Sequence, residues 1–162
     1  MPVNRRLTVV LALVVGLAAL IVTAPAGASD EPTKCTAYAV MTPGNEVRDA
    51  GSTDPVVDSR ALGAALFHID GTTLSFSVAI ANPAGETFVA GHIHPGAAGV
   101  IGGVLVPLFA GSSDRKLFFQ AARIGITADA AAAICGDPAG HYVNYHTTQD
   151  PQGAVRGQLH RI

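Results

Sequence analysis

His92 and His94 stand two residues apart in the run Phe88-Val-Ala-Gly-His-Ile-His-Pro-Gly-Ala-Ala-Gly-Val100. Residues two apart in a strand leave the same face, so both imidazoles project together. Two neutral imidazoles on one face are half of a transition-metal site. His146, in Tyr142-Val-Asn-Tyr-His-Thr147, offers a third. Three imidazoles suit copper or zinc and leave a fourth position for water or a small anion. One ion at about 2.0–2.1 Å from each ligand needs the three nitrogens within about 4 Å of each other. The competing assignment is structural, with each ring hydrogen-bonding a loop backbone. His68, beside a turn, reads as a solvated edge residue, and His141 and His160 have no evident partner. Gly91, Gly96 and Gly99 read as turn residues and not as a phosphate cradle, because no helix follows them. No Ser-His-Asp order and no carboxylate pair has a spacing that singles it out.

The elements that must position these side chains read as strands. Ala61–Ile69 runs into Asp70-Gly71, a hairpin signal, and Leu74-Ser-Phe-Ser-Val-Ala-Ile80 returns in strict alternation. Further strands are expected at Thr87–His94, Gly103–Phe109, Leu117–Ile124, Tyr142–Thr147 and Ala154–His160, separated by Pro and Gly. One short helix is expected near residues 127–135, with Thr127 as N-cap, Asp129 in the first turn and Gly136 and Pro138 ending it. Residues 43–60 read as a long loop. The pattern is all-β: an antiparallel Greek-key β-sandwich or flattened barrel with one helix. Parity places His92 and His94, then Asn144 and His146, then Arg156 and Gln158, opposite the apolar residues of their strands. An outward polar site follows if those strands are neighbours.

Arg5 and Arg6 precede an apolar run from Leu7 to Val22, and Ala26 and Ala28 make an A-x-A end. That is the pattern of a secretory signal peptide over residues 1–28, leaving residues 29–162 as a single domain. A retained leader would be the chain's one contact with a membrane. Losing Arg5 and Arg6 leaves eight basic residues against 12 acidic ones, a net charge of about −4. No basic run or aromatic-basic stripe points to nucleic acid. Cys35 and Cys135 both fall in the exported part, where a lone pair forms a disulfide. Its loop of roughly 100 residues is worth up to about 4–5 kcal/mol in the chain-entropy model.

Three stretches together resemble the CHRD domain, named for its occurrence in chordin. They are Asn45-Glu-Val47; Ala90-Gly-His-Ile-His-Pro-Gly-Ala-Ala-Gly99 with the apolar run that follows; and Tyr142-Val-Asn-Tyr-His-Thr-Thr-Gln-Asp-Pro-Gln-Gly-Ala-Val-Arg-Gly-Gln158. Arg48 and Ala154 depart from the family's usual proline and acidic residue. The resemblance implies an extracellular β-sandwich and a non-enzymatic module that binds an extracellular protein, an envelope component or a metal ion. A weaker similarity links the order of His92, His94, His146 and Arg156 to the copper half of Cu/Zn superoxide dismutase. It implies a metalloenzyme, with the three histidines as ligands and Arg156, beside Asn144, guiding an anion; the bridging histidine and the zinc cluster have no counterpart. A purely structural envelope domain is the third role.

Overall fold

The computed structural model describes residues 33–48 and 57–162. The leader-type segment 1–28 and part of the polar stretch 43–60 lie outside the described residues. Two-residue periodicity decides the architecture. In β3 (Thr73–Ala81) the alternate residues Leu74, Phe76, Val78 and Ile80 are buried. β3 pairs with β2 (Leu62–Asp70) through Gly71-Thr72, with Gly71 at φ 59°. The turn therefore sits one residue later than the Asp70-Gly71 signal suggests, because Asp70 still pairs with Thr73.

The described residues form nine strands in two wholly antiparallel sheets and one α-helix. The first sheet runs β6 (Leu117–Gly125), β3, β2, β1 (Lys34–Met41), β9 (His160–Arg161). The second runs β5 (Val106–Ser113), β4 (Phe88–Pro95), β7 (His141–Thr147), β8 (Val155–Gln158). After β4 and β5 pair in the second sheet, β6 returns beside β3 in the first, the connection a Greek key requires. An isolated bridge between Thr42 and Arg156 joins the sheets on one side, but they do not close around, so the described domain is a sandwich and not a closed barrel.

The core lies between the sheets. Ala37, Phe67, Phe76 and Phe118 from one meet Phe88, Ile93, Val143 and Tyr145 from the other. Phe118 links them, with ring centroids 5.5 Å from Phe88 and 5.6 Å from Tyr145. The Tyr145 hydroxyl is satisfied by Gln120 Oε1 at 2.8 Å, so a polar tip is buried without an orphan. The helix α1 (Ala128–Gly136) is capped as expected: Thr127 accepts from the Ala130 N–H at 3.1 Å. Cys35 in β1 and Cys135 in α1 form the disulfide, Cα atoms 5.6 Å apart. The outer face of the first sheet leaves Leu117 and Phe119 exposed.

Three further expectations change. The run Ala154–His160 is two strands, because the chain crosses at Leu159 from β7's edge to pair His160 with Tyr38 of β1. The strand expected from Gly103 starts at Val106, since the preceding residues brace β4: the Leu105 N–H donates to the Ile93 carbonyl at 2.9 Å. His68 is no edge residue; β2 lies between β1 and β3, and its Nδ1 meets Thr36 Oγ1 at 3.0 Å.

Candidate metal centre

Strand register brings the three histidines together. β4 and β7 are adjacent and antiparallel, with Ala90 opposite His146, His92 opposite Asn144 and His94 opposite Tyr142. β7 in turn sets Asn144 opposite Arg156 and Tyr142 opposite Gln158. The polar set read from parity thus shares one sheet face, with His146 diagonal to His92. One ligating atom from each of His92, His94 and His146 lies within 4.8 Å of the others. His92 Nδ1 and His146 Nε2 are 3.2 Å apart. Closing the widest gap to the roughly 3.4 Å of tetrahedral ligands asks for ring shifts on the order of 1 Å.

Hydrogen bonds fix which nitrogens are available. His146 Nδ1 lies 3.0 Å from the Pro151 carbonyl, and His94 Nδ1 lies 2.9 Å from that of Gly102. A carbonyl only accepts, so both Nδ1 atoms carry the hydrogen and both Nε2 atoms keep a lone pair. His94 Nε2 is buried and has no hydrogen-bond partner among the described residues. His92 Nδ1 must then donate to His146 Nε2 in the metal-free protein, a hydrogen that a cation at this place would replace. Burial, reinforced by His146 and His94, holds the His92 imidazole down to about 4. His146 is lowered as well, by burial and then His94, with the Pro151 carbonyl opposing. Both rings are neutral at physiological pH, the state in which imidazole ligates.

Much of the polar face is covered by a loop, although it points away from the core; His94, Asn144 and Arg156 are buried, and His92 and His146 are half-buried. Arg156 is 2% exposed, its guanidinium 3.4 Å from the centroid of the Tyr142 ring. Its Nη2 donates to the carbonyls of Ala97 (3.1 Å) and Val100 (2.8 Å). On β4, the His94 ring stacks on Tyr142 at 4.9 Å. The Tyr142 hydroxyl accepts from the Gly102 N–H at 3.2 Å. Gln158 Nε2 donates to the Gly96 carbonyl at 2.6 Å. The loop after β4 is thereby pinned as a roof, and the roof supplies the carbonyl that orients His94. Gly96 and Gly99 adopt positive φ (147° and 81°), as turn residues should. Gly91 does not: it is inside β4 because a Cβ there would lie 2.4 Å from the Tyr145 ring. His141 stays outside the cluster, with Nδ1 on the Asp137 carbonyl at 2.8 Å, and His160 packs against Tyr38.

The residue that sequence reasoning missed is Glu46. It follows the 3-10 turn Pro43–Asn45 and walls a cavity of about 190 Å³ together with His94, His146, Asn144, Tyr142 and Arg156. Burial drives its carboxyl up to about 8, against the pull of Arg156 and of a hydrogen bond from Asn144, with Asp150 pushing the same way as burial. Gly153, at φ 140°, gives it room; a Cβ there would lie 2.5 Å from Glu46 Oε2. The one sequence signal was its place in Asn45-Glu-Val47, 46 residues before His92 and on no strand.

An all-β sandwich with a histidine cluster on a roofed sheet face is the class of domain these features define. The family model for the CHRD domain matches residues 37–159, and the chain belongs to that family. The match takes in Asn45-Glu-Val47, the His92/His94 strand and the whole of β7 and β8. Comparison with curated proteins and with solved structures gives no match.

Proposed function

We propose that this protein is an exported CHRD-family binding module that holds one copper or zinc ion through His92 Nδ1, His94 Nε2 and His146 Nε2. One observation carries the reading: His94 and His146 each spend Nδ1 on a backbone carbonyl, leaving Nε2 lone pairs beside His92, that of His146 engaged by His92 itself and that of His94 buried without a partner. Carbonyl-oriented imidazoles are the usual surroundings of a metal-ligating histidine. Thiolates are absent from the cluster, since both cysteines are bonded to each other. Export is supported by the leader pattern of residues 1–28 and by the Cys35–Cys135 disulfide. Binding is favoured over turnover of an oxygen anion because Arg156 is buried and its Nη2 donates to roof carbonyls. An extracellular protein or envelope component remains the proposed partner of the module as a whole.

The test is metal analysis of untagged, chelator-washed protein after reconstitution with copper and with zinc. We expect one ion per chain, lost in His94→Ala and His146→Ala and kept in His160→Ala. Sub-stoichiometric metal on the wild-type chain refutes the proposal.

A further inference from the structure

One face of an antiparallel sheet packs on the core, and the other normally meets water and is polar. The first sheet departs from this in β1, β2, β3 and β6, where much of the side turned away from the core is apolar as well. Tyr38 and Val40, Leu62 and Leu66, and Leu117 and Phe119 are 42–67% exposed, six of the ten exposed large apolar side chains among the described residues. Register gathers them into one patch, since Tyr38 stands opposite Leu66, Leu66 opposite Ser77, and Phe119 opposite Ala79. Scattered exposed apolar residues are ordinary, but a contiguous patch marks an interaction surface. Charge is confined to the end nearest the β2–β3 turn. There Lys34 and Asp70 bond each other at 3.2 Å, leaving Arg123 as the one net charge among the outward residues of these strands.

The relief of this face fits itself. From Ser75 to Ala81, β3 turns only serine and alanine outward, which makes a trough. Neighbouring β2 carries Leu62 and Leu66, which make a ridge. A two-fold axis running between β2 and β3 lays the ridge of each copy in the trough of the other, and β6 over β1. Such a contact is isologous, one surface serving as both partners, and sheets pack face to face about 10 Å apart. Four strands of eight or nine residues cover a footprint of roughly 600 Å², at about 3.4 Å per residue and 4.8 Å between strands. Two such faces bury about 1,200 Å², the low end of the range for stable interfaces. A charged partner would find only Arg123 to pair with.

We propose that the outer face of β1, β2, β3 and β6 is the interface of a two-fold dimer, and that its occupant is a second copy of this chain. An area at the low end and a centre of small residues make the dimer one that dissociates on dilution, so at the concentrations of an unfolding measurement the chain is a monomer. The test is sedimentation velocity of the untagged chain in chelator, over concentrations on the order of 1–300 µM. The wild-type mass should double across that range. Leu66→Lys sets an ammonium group against the trough, and Ala79→Arg fills the trough from the other side. Each should raise the dissociation constant at least about tenfold, the equivalent of 1.4 kcal/mol, while circular dichroism shows the chain folded. Val104→Lys, 56% exposed and outside this sheet, should leave dimerisation unchanged. Dimerisation that survives both face variants, or that Val104→Lys abolishes equally, overturns the proposal. If neither face variant folds, the wild-type chain decides. A wild-type monomer at every concentration overturns the proposal too, and flotation of that monomer with phosphatidylglycerol vesicles would assign the face to lipid instead.

Discussion

Glu46→Gln in the metal-free protein isolates the electrostatic cost of the cavity. The folded chain holds the Glu46 proton up to about pH 8, whereas the unfolded chain releases it near 4.5. Between those values the native state binds more protons than the unfolded state, so stability falls as pH rises. His92 has the opposite sign: with a folded value of about 4 against 6.5, its contribution is lost as pH falls through that interval. Above pH 6.5 His92 is neutral in both states, and the slope from Glu46 stands alone. From pH 6.5 to 8 this amounts to about 2 kcal/mol at 1.36 kcal/mol per pH unit. For a domain of this size that is a drop in Tm on the order of 6–8 °C. The isosteric amide keeps shape and cannot ionise, so its curve should be flatter over the same window and the variant the more stable protein at pH 8.5. The assay is thermal unfolding by circular dichroism of both proteins in chelator from pH 5 to 8.5. Parallel curves for wild type and Glu46→Gln would show that burial does not hold this carboxyl neutral.

Arg156→Lys keeps the charge but loses the planar fork that bridges Ala97 and Val100, so the roof loosens and the Gly102 carbonyl no longer holds His94. Metal affinity should fall about 10–100-fold in a chelator competition, the usual penalty for losing an outer partner; unchanged affinity would separate the roof from the site. Replacing Cys35 and Cys135 together with Ala should cost about 2–5 kcal/mol by urea denaturation. Gly91→Ala puts a methyl into the Tyr145 ring and should destabilise by at least about 1–3 kcal/mol in the same assay, through steric overlap and not through backbone strain. Phe119→Ser, at a position 67% exposed, should stay within about 0.5 kcal/mol of wild type.

The parts of this molecule that were legible in the sequence are those that depend on period two. Alternation from Leu74 to Ile80, and the opposition of His92 and His94 to Ile93, depend only on which face a residue leaves, and register kept each set intact. The helix was legible for the same local reason, since Thr127 caps it through its own side chain. Three things depended on distance in sequence and were not legible. Parity placed Asn144 and Arg156 on the polar face but said nothing of the roof that leaves them 3% and 2% exposed. The switch of sheets at Leu159 depends on β1 offering Tyr38 as a partner. Glu46 reaches the site from a turn, where no periodicity marks a side chain's direction.

That same roof joins the two readings of the histidines, which at first compete. Bracing a loop and ligating a metal use different atoms of one ring. His94 and His146 do brace loops, through Nδ1 on Gly102 and Pro151. By doing so each fixes its tautomer and turns Nε2, with its lone pair, toward the partner strand. A ring free of the loop could rotate or change tautomer, and would present a ligand atom only part of the time. The bracing therefore has a consequence that a purely structural role does not need: it leaves His94 Nε2 buried and unpaired beside two other imidazoles. A chain selected only to pin its loops would lose nothing by replacing that ring with a side chain that carries one polar atom, such as threonine reaching the same carbonyl or its neighbour. Asn keeps a donor for that carbonyl and replaces the second nitrogen with an amide oxygen, a poor ligand for copper or zinc, so it is the sharper choice for the comparison. If His94→Asn keeps the roof, judged by unchanged Tm, and abolishes metal binding, the second nitrogen of the ring serves the ion and the first serves the fold. Equal metal binding by wild type and His94→Asn would sink that division of labour.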